Sequence, residues 1–86
     1  MPEVSRFLGI VITMHYNDHA PPHFHARYGT EKCSVVISNA EILEGRLPPR
    51  VFGLVAEWAA RHRLELRDNW ERARRQQGLR SIAPLE

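Results

Sequence analysis

The chain has a single cysteine, Cys33, so it cannot close an internal disulfide. That excludes a disulfide-stapled secreted scaffold and makes the reducing cytoplasm the expected compartment. A small thiol on a strand is more often a packing residue than a nucleophile. Long hydrophobic runs are missing too. Ile10-Val11-Ile12 is far too short for a membrane span or a signal core, and Met1 to Arg6 offers no basic stretch leading into one. No membrane association is expected. Charge of one sign is scarce: the net charge is +2, too small for the overall field alone to mark a nucleic-acid binder. Repeats and low-complexity segments are absent. With 86 residues there is room for one core only, so 1–86 reads as a single domain.

What charge there is lies unevenly. Eleven of the twelve basic residues are arginine, and seven of these fall from Arg61 onward. Arg72, Arg74, Arg75 and Arg80 are the candidate phosphate contacts for RNA or DNA. The competing view is a solvated helix surface, because Glu57, Glu65 and Glu71 supply intrahelical partners such as Arg61 and Arg75. A basic helix end also complements the helix dipole without any partner.

Along the chain, apolar alternation predicts a first strand over Ser5–His15, with Leu8, Ile10, Ile12 and Met14 on one face. Phe7, Val11, Thr13 and His15 take the other. Asn17-Asp18 and Pro21-Pro22 break it. His23–Tyr28 is the second strand, followed by a turn at Gly29-Thr30. Lys32–Ser38 is the third, Asn39-Ala40 a tight turn with Asn tolerating the left-handed region, and a short fourth strand from Glu41 ends at Gly45. Such short turns favour an antiparallel meander. Pro48 and Pro49 then suit a first helical turn. Val51, Leu54, Val55, Trp58, His62, Leu66, Asn69, Trp70 and Ala73 form one helical stripe, which Gly78 ends. Leu64 lies off that stripe, so two helices with a break near His62–Leu64 are expected over one long bent helix. Trp58 and Trp70 read as core, and His62 as a core or helix-end histidine satisfied by a carbonyl.

The stretch from His15 to His25 holds four of the five histidines. Imidazole titrates near neutral pH and is the commonest metal ligand, so any chemistry belongs here. A hairpin with His15 opposite His23 pairs Thr13 with His25 and Val11 with Arg27 on one surface. On the other it pairs Met14 with Phe24, Ile12 with Ala26 and Ile10 with Tyr28. The apolar set turns inward and His15, His23 and His25 turn outward. Those three, with His19 swinging in from the loop, are the candidate ligands of a zinc ion, and Asp18 is a candidate oxygen ligand or an acceptor behind the ligands that would fix a tautomer. Without metal, His23 or His25 would move protons while Arg27 stabilises developing charge on phosphorus, as a small ribonuclease requires. Tyr16 and Tyr28 are candidate stacking surfaces for bases, Tyr28 being better suited to the core.

Residues 1–10 (Met-Pro-Glu-Val-Ser-Arg-Phe-Leu-Gly-Ile) and Asn17–Gly29, with the segment Leu43–Pro48 and the run from Trp58-Ala59 through His62 to Asn69-Trp70, resemble the bacterial domain-of-unknown-function family DUF4160. The likeness extends over nearly the whole chain. It carries over Asp18, His19, Pro21, Pro22, His23, His25 and Tyr28, and leaves His15 and Cys33 less securely family features. The resemblance implies one half of a two-gene, toxin–antitoxin-like module, with a protein partner encoded by a neighbouring gene and RNA or DNA as a further ligand. It brings no biochemical role for any residue.

The expected fold is α+β: a three- or four-stranded antiparallel β-meander over 1–45, then a helical part over 46–78 whose two helices pack on one face, and a C-terminal tail over 79–86. Two functions compete. One is a toxin–antitoxin-like interaction module working through a sheet edge and the arginine-rich helix. The other is a small nuclease, phosphoesterase or metal-binding protein centred on His19–His25. A thin core and an unpaired edge also make a homodimer an expectation.

Overall fold

Among the described residues, five strands and two helices follow in the order β1 (Glu3–Phe7), β2 (Ile10–Thr13), β3 (His23–Tyr28), β4 (Glu31–Val36), β5 (Ile42–Gly45), α1 (Pro49–Arg61) and α2 (Arg63–Arg74). The computed structural model describes residues 2–85; Met1 and Glu86, the ends of the expected domain and tail, lie outside the described residues. The strands make one antiparallel sheet in sequence order, and the fold is α+β. No helix is long and apolar enough to cross a membrane among the described residues.

The strand count is five rather than three or four. The expected strand Ser5–His15 is a hairpin, because Leu8 and Gly9 both take positive φ (51° and 81°) in a two-residue turn. That conformation matches the twist of the flanking strands. Phe7 therefore faces the core opposite Ile10, and Leu8 is left 63% exposed. The β2–β3 register is the expected one: Ile10 pairs with Tyr28, Val11 with Arg27, Ile12 with Ala26 and Thr13 with His25. At the next corner it is Ala40, not Asn39, that goes left-handed, while the Asn39 side chain accepts the Glu41 N–H at 3.0 Å.

The inner face of the sheet carries Ile10, Ile12, Met14, Phe24, Ala26, Cys33 and Val35, all buried in one cluster with Val51, Val55, Trp58, Leu66 and Trp70 of the helices. Trp58 sits at its centre, 5.4 Å from the Phe7 ring and 5.8 Å from Phe24. Burying an aromatic of this size contributes roughly 2–3 kcal/mol. The helices break at His62, which ends α1 and begins α2. Its Nδ1 lies 2.6 Å from a Glu65 carboxylate oxygen, so its partner is a side chain rather than a carbonyl. Leu64, off the stripe, is 82% exposed. Helix α2 stops at Arg74, short of Gly78, because Gln76 takes the positive φ that ends it.

The residues after α2 are fixed rather than trailing. The buried Asn69 amide donates to the Arg80 carbonyl at 2.8 Å and accepts the Arg80 N–H at 2.9 Å. Trp58 Nε1 donates to the Ala83 carbonyl, Ile82 N–H donates to the Val4 carbonyl, and Ile82 and Leu85 are buried.

Gly45 and Gly29 both have positive φ (75° and 62°), but only Gly45 is crowded: a Cβ there would lie 2.2 Å from the Lys32 carbonyl oxygen. Gly29→Ala should cost only left-handed strain, about 1–2 kcal/mol. Gly45→Ala should cost about 3 kcal/mol or more, or peel β5 from β4. Urea unfolding measures the difference, and equal losses would contradict this account of Gly45.

Candidate functional site

The loop between β2 and β3 is held to the far end of the chain. Tyr16 donates its hydroxyl to the Gln77 carbonyl at 2.9 Å, and Gln76 donates its amide to Asn17 Oδ1 at 2.8 Å. Asn17 itself has a φ of 61°, a conformation Asn adopts more readily than most residues. The turn it makes points Asp18 back over the start of β3.

There Asp18 is the centre of the cluster. Its Oδ2 lies 3.0 Å from His23 Nε2 and 3.2 Å from His25 Nε2. His25 with its proton on Nε2 donates to this oxygen, and its Nδ1 accepts the Ser34 hydroxyl at 3.2 Å. His23 is buried, with its ring 5.3 Å from Trp70 of α2. Its Nδ1 donates to the Pro21 carbonyl at 2.7 Å. Both nitrogens thus face acceptors.

His15 stacks on His25, with ring centroids 3.9 Å apart and planes 8° from parallel. Its Nε2 is buried and has no hydrogen-bond partner among the described residues. Burial, and behind it the neighbouring His25, hold the His15 imidazole below its ordinary range against the pull of Asp18. At Asp18, burial pushes the carboxyl up. The hydrogen bond from His25, the charges of His23 and His25 and the His19 N–H together carry it below the usual carboxylate range.

The fold brings together His15, Asp18, His23 and His25 but leaves His19 outside. The His19 side chain is 93% exposed, and its Nδ1 is 3.8 Å from Asp18 Oδ1. Asp18 falls among the candidate ligands, one of its two expected places, and His23 does not. One ligand atom each from His15, Asp18 and His25 lies within 4.8 Å of the others, whereas His23 is turned toward the helix and supports the carboxylate from behind. A single ion with bonds of about 2.0–2.2 Å holds its ligand atoms at most roughly 4.4 Å apart, so small ring rotations close the set. Without an ion, the Asp18–His25–Ser34 chain orients His25 as a base toward a hydroxyl.

On the open face of the sheet a groove of about 380 Å³ runs from His15 and His25 past Ser34, Arg27 and Lys32 to Glu44, over Val11 and Thr13. Arg27 lies directly opposite Lys32, as His25 lies opposite Ser34. Ser34 and Lys32 were not among the expected site residues. The signal was in the two-residue turn Gly29-Thr30, whose pairing of Tyr28 with Glu31 fixes both contacts by counting back.

The four arginines expected at a nucleic-acid surface do not line the groove. Arg72 pairs with Asp68 at 2.9 Å and Arg74 with Glu71 at 3.2 Å, so Glu71 serves Arg74 rather than Arg75. Arg80 is engaged through its backbone by Asn69. Cys33 is buried, and burial pushes its thiol up, away from nucleophilic chemistry.

The chain belongs to DUF4160, a domain of unknown function, whose family model matches residues 9–71. That span holds every member of the cluster and both cations of the groove, while β1 precedes it. No curated protein and no solved structure matches the chain.

His15 is lowered on folding, so its contribution to stability is full above its unfolded value of about 6.5 and is lost as pH falls through the folded one. Asp18, also lowered, is lost only in acid, below about pH 4. In metal-free protein the drop in stability from about pH 7.5 to about pH 5 should therefore be smaller for His15→Gln than for the wild type. Urea midpoints at the two pH values measure it, and identical drops would remove His15 as the group responsible.

Proposed function

We propose that this member of the family is a small metal-dependent hydrolytic enzyme, with a divalent transition metal ion held by His15 Nε2, Asp18 and His25. One observation carries the reading: the His15 ring, with a buried nitrogen that has no partner among the described residues, stands in mutual reach of a carboxylate and a second imidazole. An unsatisfied buried polar atom costs about 1–3 kcal/mol, and an ion at this point removes that cost. Two histidines and one carboxylate would leave positions open for water, and a zinc-like ion held by them would supply Lewis acidity for hydrolysis at neutral pH. His23, anchored by Pro21 and Trp70, fixes the carboxylate in the manner of an outer-shell partner.

Elemental analysis of protein purified without a histidine tag should find about one equivalent of metal, and added zinc should raise the melting temperature. His15→Ala/His25→Ala should abolish both effects and His19→Ala should leave them unchanged. His23→Gln should weaken binding by about 10–100-fold. Absence of stoichiometric metal together with an unmoved melting temperature sinks the proposal.

A second reading, an interaction module in a toxin–antitoxin-like pair, is favoured by β5. This edge strand is exposed along its whole length and presents Ile42 and Leu43, 41% and 44% exposed. An edge with open backbone groups and apolar side chains is a template for strand addition by a partner. The product of a neighbouring gene is the partner to test. Co-purification should be abolished by Ile42→Lys/Leu43→Lys, and failure to associate at micromolar concentration would end this reading.

A further inference from the structure

We propose that the groove on the open face of the sheet binds the phosphoryl group of a small phosphate ester, gripped between Arg27 and Lys32 and presented to His25 and Ser34. The argument starts from register. The tight turn at Gly29-Thr30 sets Arg27 directly opposite Lys32. Like charges directly opposite one another destabilise an antiparallel pair. Neither cation takes part in an ion pair among the described residues, although Arg6, Arg46, Arg61, Arg72 and Arg74 all do. Glu31, beside Lys32 in sequence, is 3.7 Å from Arg46 instead. Glu44, also in the groove, is registered opposite Ser34, two positions from the cations on its face.

Two cations without an ion-pair partner, Arg27 sharing only the more distant field of the Arg6-paired Glu3, therefore stand face to face in the wall of a cavity, one strand period from the Asp18–His25–Ser34 chain. An anion placed between them converts the repulsion into two attractions. Phosphate suits the pair better than a carboxylate, because it carries up to two charges and three acceptor oxygens. The guanidinium fork of Arg27 takes two of these, leaving one for the ammonium of Lys32. A volume of about 380 Å³ lies within the range of small-molecule sites, large enough for a mononucleotide and too small to enclose a folded nucleic acid. This inference rests on the hydrolytic reading only for what happens to the ligand. The grip itself involves no metal ligand.

The test separates the two. Protein freed of metal over a chelating resin is titrated with inorganic phosphate, with adenosine 5′-monophosphate and with a single-stranded RNA of about ten nucleotides, followed by amide chemical shifts. Phosphate and the mononucleotide should both shift the amides of β3 and β4 around residues 25–34. Arg27→Gln/Lys32→Gln should weaken both by about tenfold or more, and Arg61→Gln should not. Relief of the like-charge pair should make the double variant at least as stable as the wild type, so that lost binding cannot be lost folding. Equal binding by wild type and double variant, or none up to roughly 20 mM phosphate, overturns the proposal. RNA binding about tenfold tighter than the mononucleotide also overturns it, by replacing a small ester with a nucleic-acid strand. Metal content measured in the same double variant should be unchanged, since a failed grip and a failed metal site are then read on different instruments.

Discussion

Two-residue turns leave a meander no freedom of register, and nearly everything in this molecule follows from that constraint. Leu8-Gly9 and Gly29-Thr30 each close a hairpin with both flanking residues paired, so a slip by one would send every side chain to the opposite face. The long loop between β2 and β3 imposes no such rule. There the register is chosen by burial: only one pairing sends Ile10, Ile12, Phe24 and Ala26 together under Trp58. The polar residues between them, Thr13, His25, Arg27 and Ser34, are carried to the open face by the same alternation. The candidate site is thus the complement of the core.

Position along the strands decides the rest. His23 shares its parity with His25, yet it stands where β3 begins and where α2 reaches past the sheet, so Trp70 covers it. A ring held this way, with Pro21 on one nitrogen and Asp18 on the other, has little rotational freedom. It passes that rigidity to the carboxylate, and His25 receives it in turn. The loop that carries Asp18 is fixed from outside by Gln76 and Gln77, immediately after α2. The geometry of the cluster therefore depends on where the second helix ends, although no residue of that end belongs to the cluster.

Much of this was legible in the residues. Alternation gave the inner face and the β2–β3 register, and the off-stripe Leu64 located the helix break. Three features were hidden, each for a physical reason. The turn at Leu8-Gly9 was masked because Leu8 continues the alternation of Ile10 and Ile12 while lying on the outside, and leucine seldom adopts positive φ. The helix end was placed at Gly78 because glycine is the usual left-handed residue, whereas Gln76 takes that conformation here. The partnership of His25 with Ser34 needed the β3–β4 register, which the tight turn already specified. Asp18 stood in plain view. Its central place depends on a loop folding back on itself, and spacing alone does not reveal that.

A chain of this size has little stability to spend, with native domains held by only about 5–15 kcal/mol. Against that margin it keeps a buried nitrogen without a partner on the half-buried His15, costing about 1–3 kcal/mol, and a like-charge cross-strand pair, costing roughly 0.2–1 kcal/mol. Elsewhere Asn69 satisfies a backbone segment and five arginines have carboxylate partners, while the buried Ser5 Oγ of β1, outside the groove, is a second atom without a partner among the described residues. The His15 nitrogen and the Arg27–Lys32 pair, unlike Ser5, stand together. Both line one groove, on one face, either side of His25 and Ser34. Under the two proposals each would take its own occupant, a metal ion beside His15 and a phosphoryl group between Arg27 and Lys32, on either side of the same histidine.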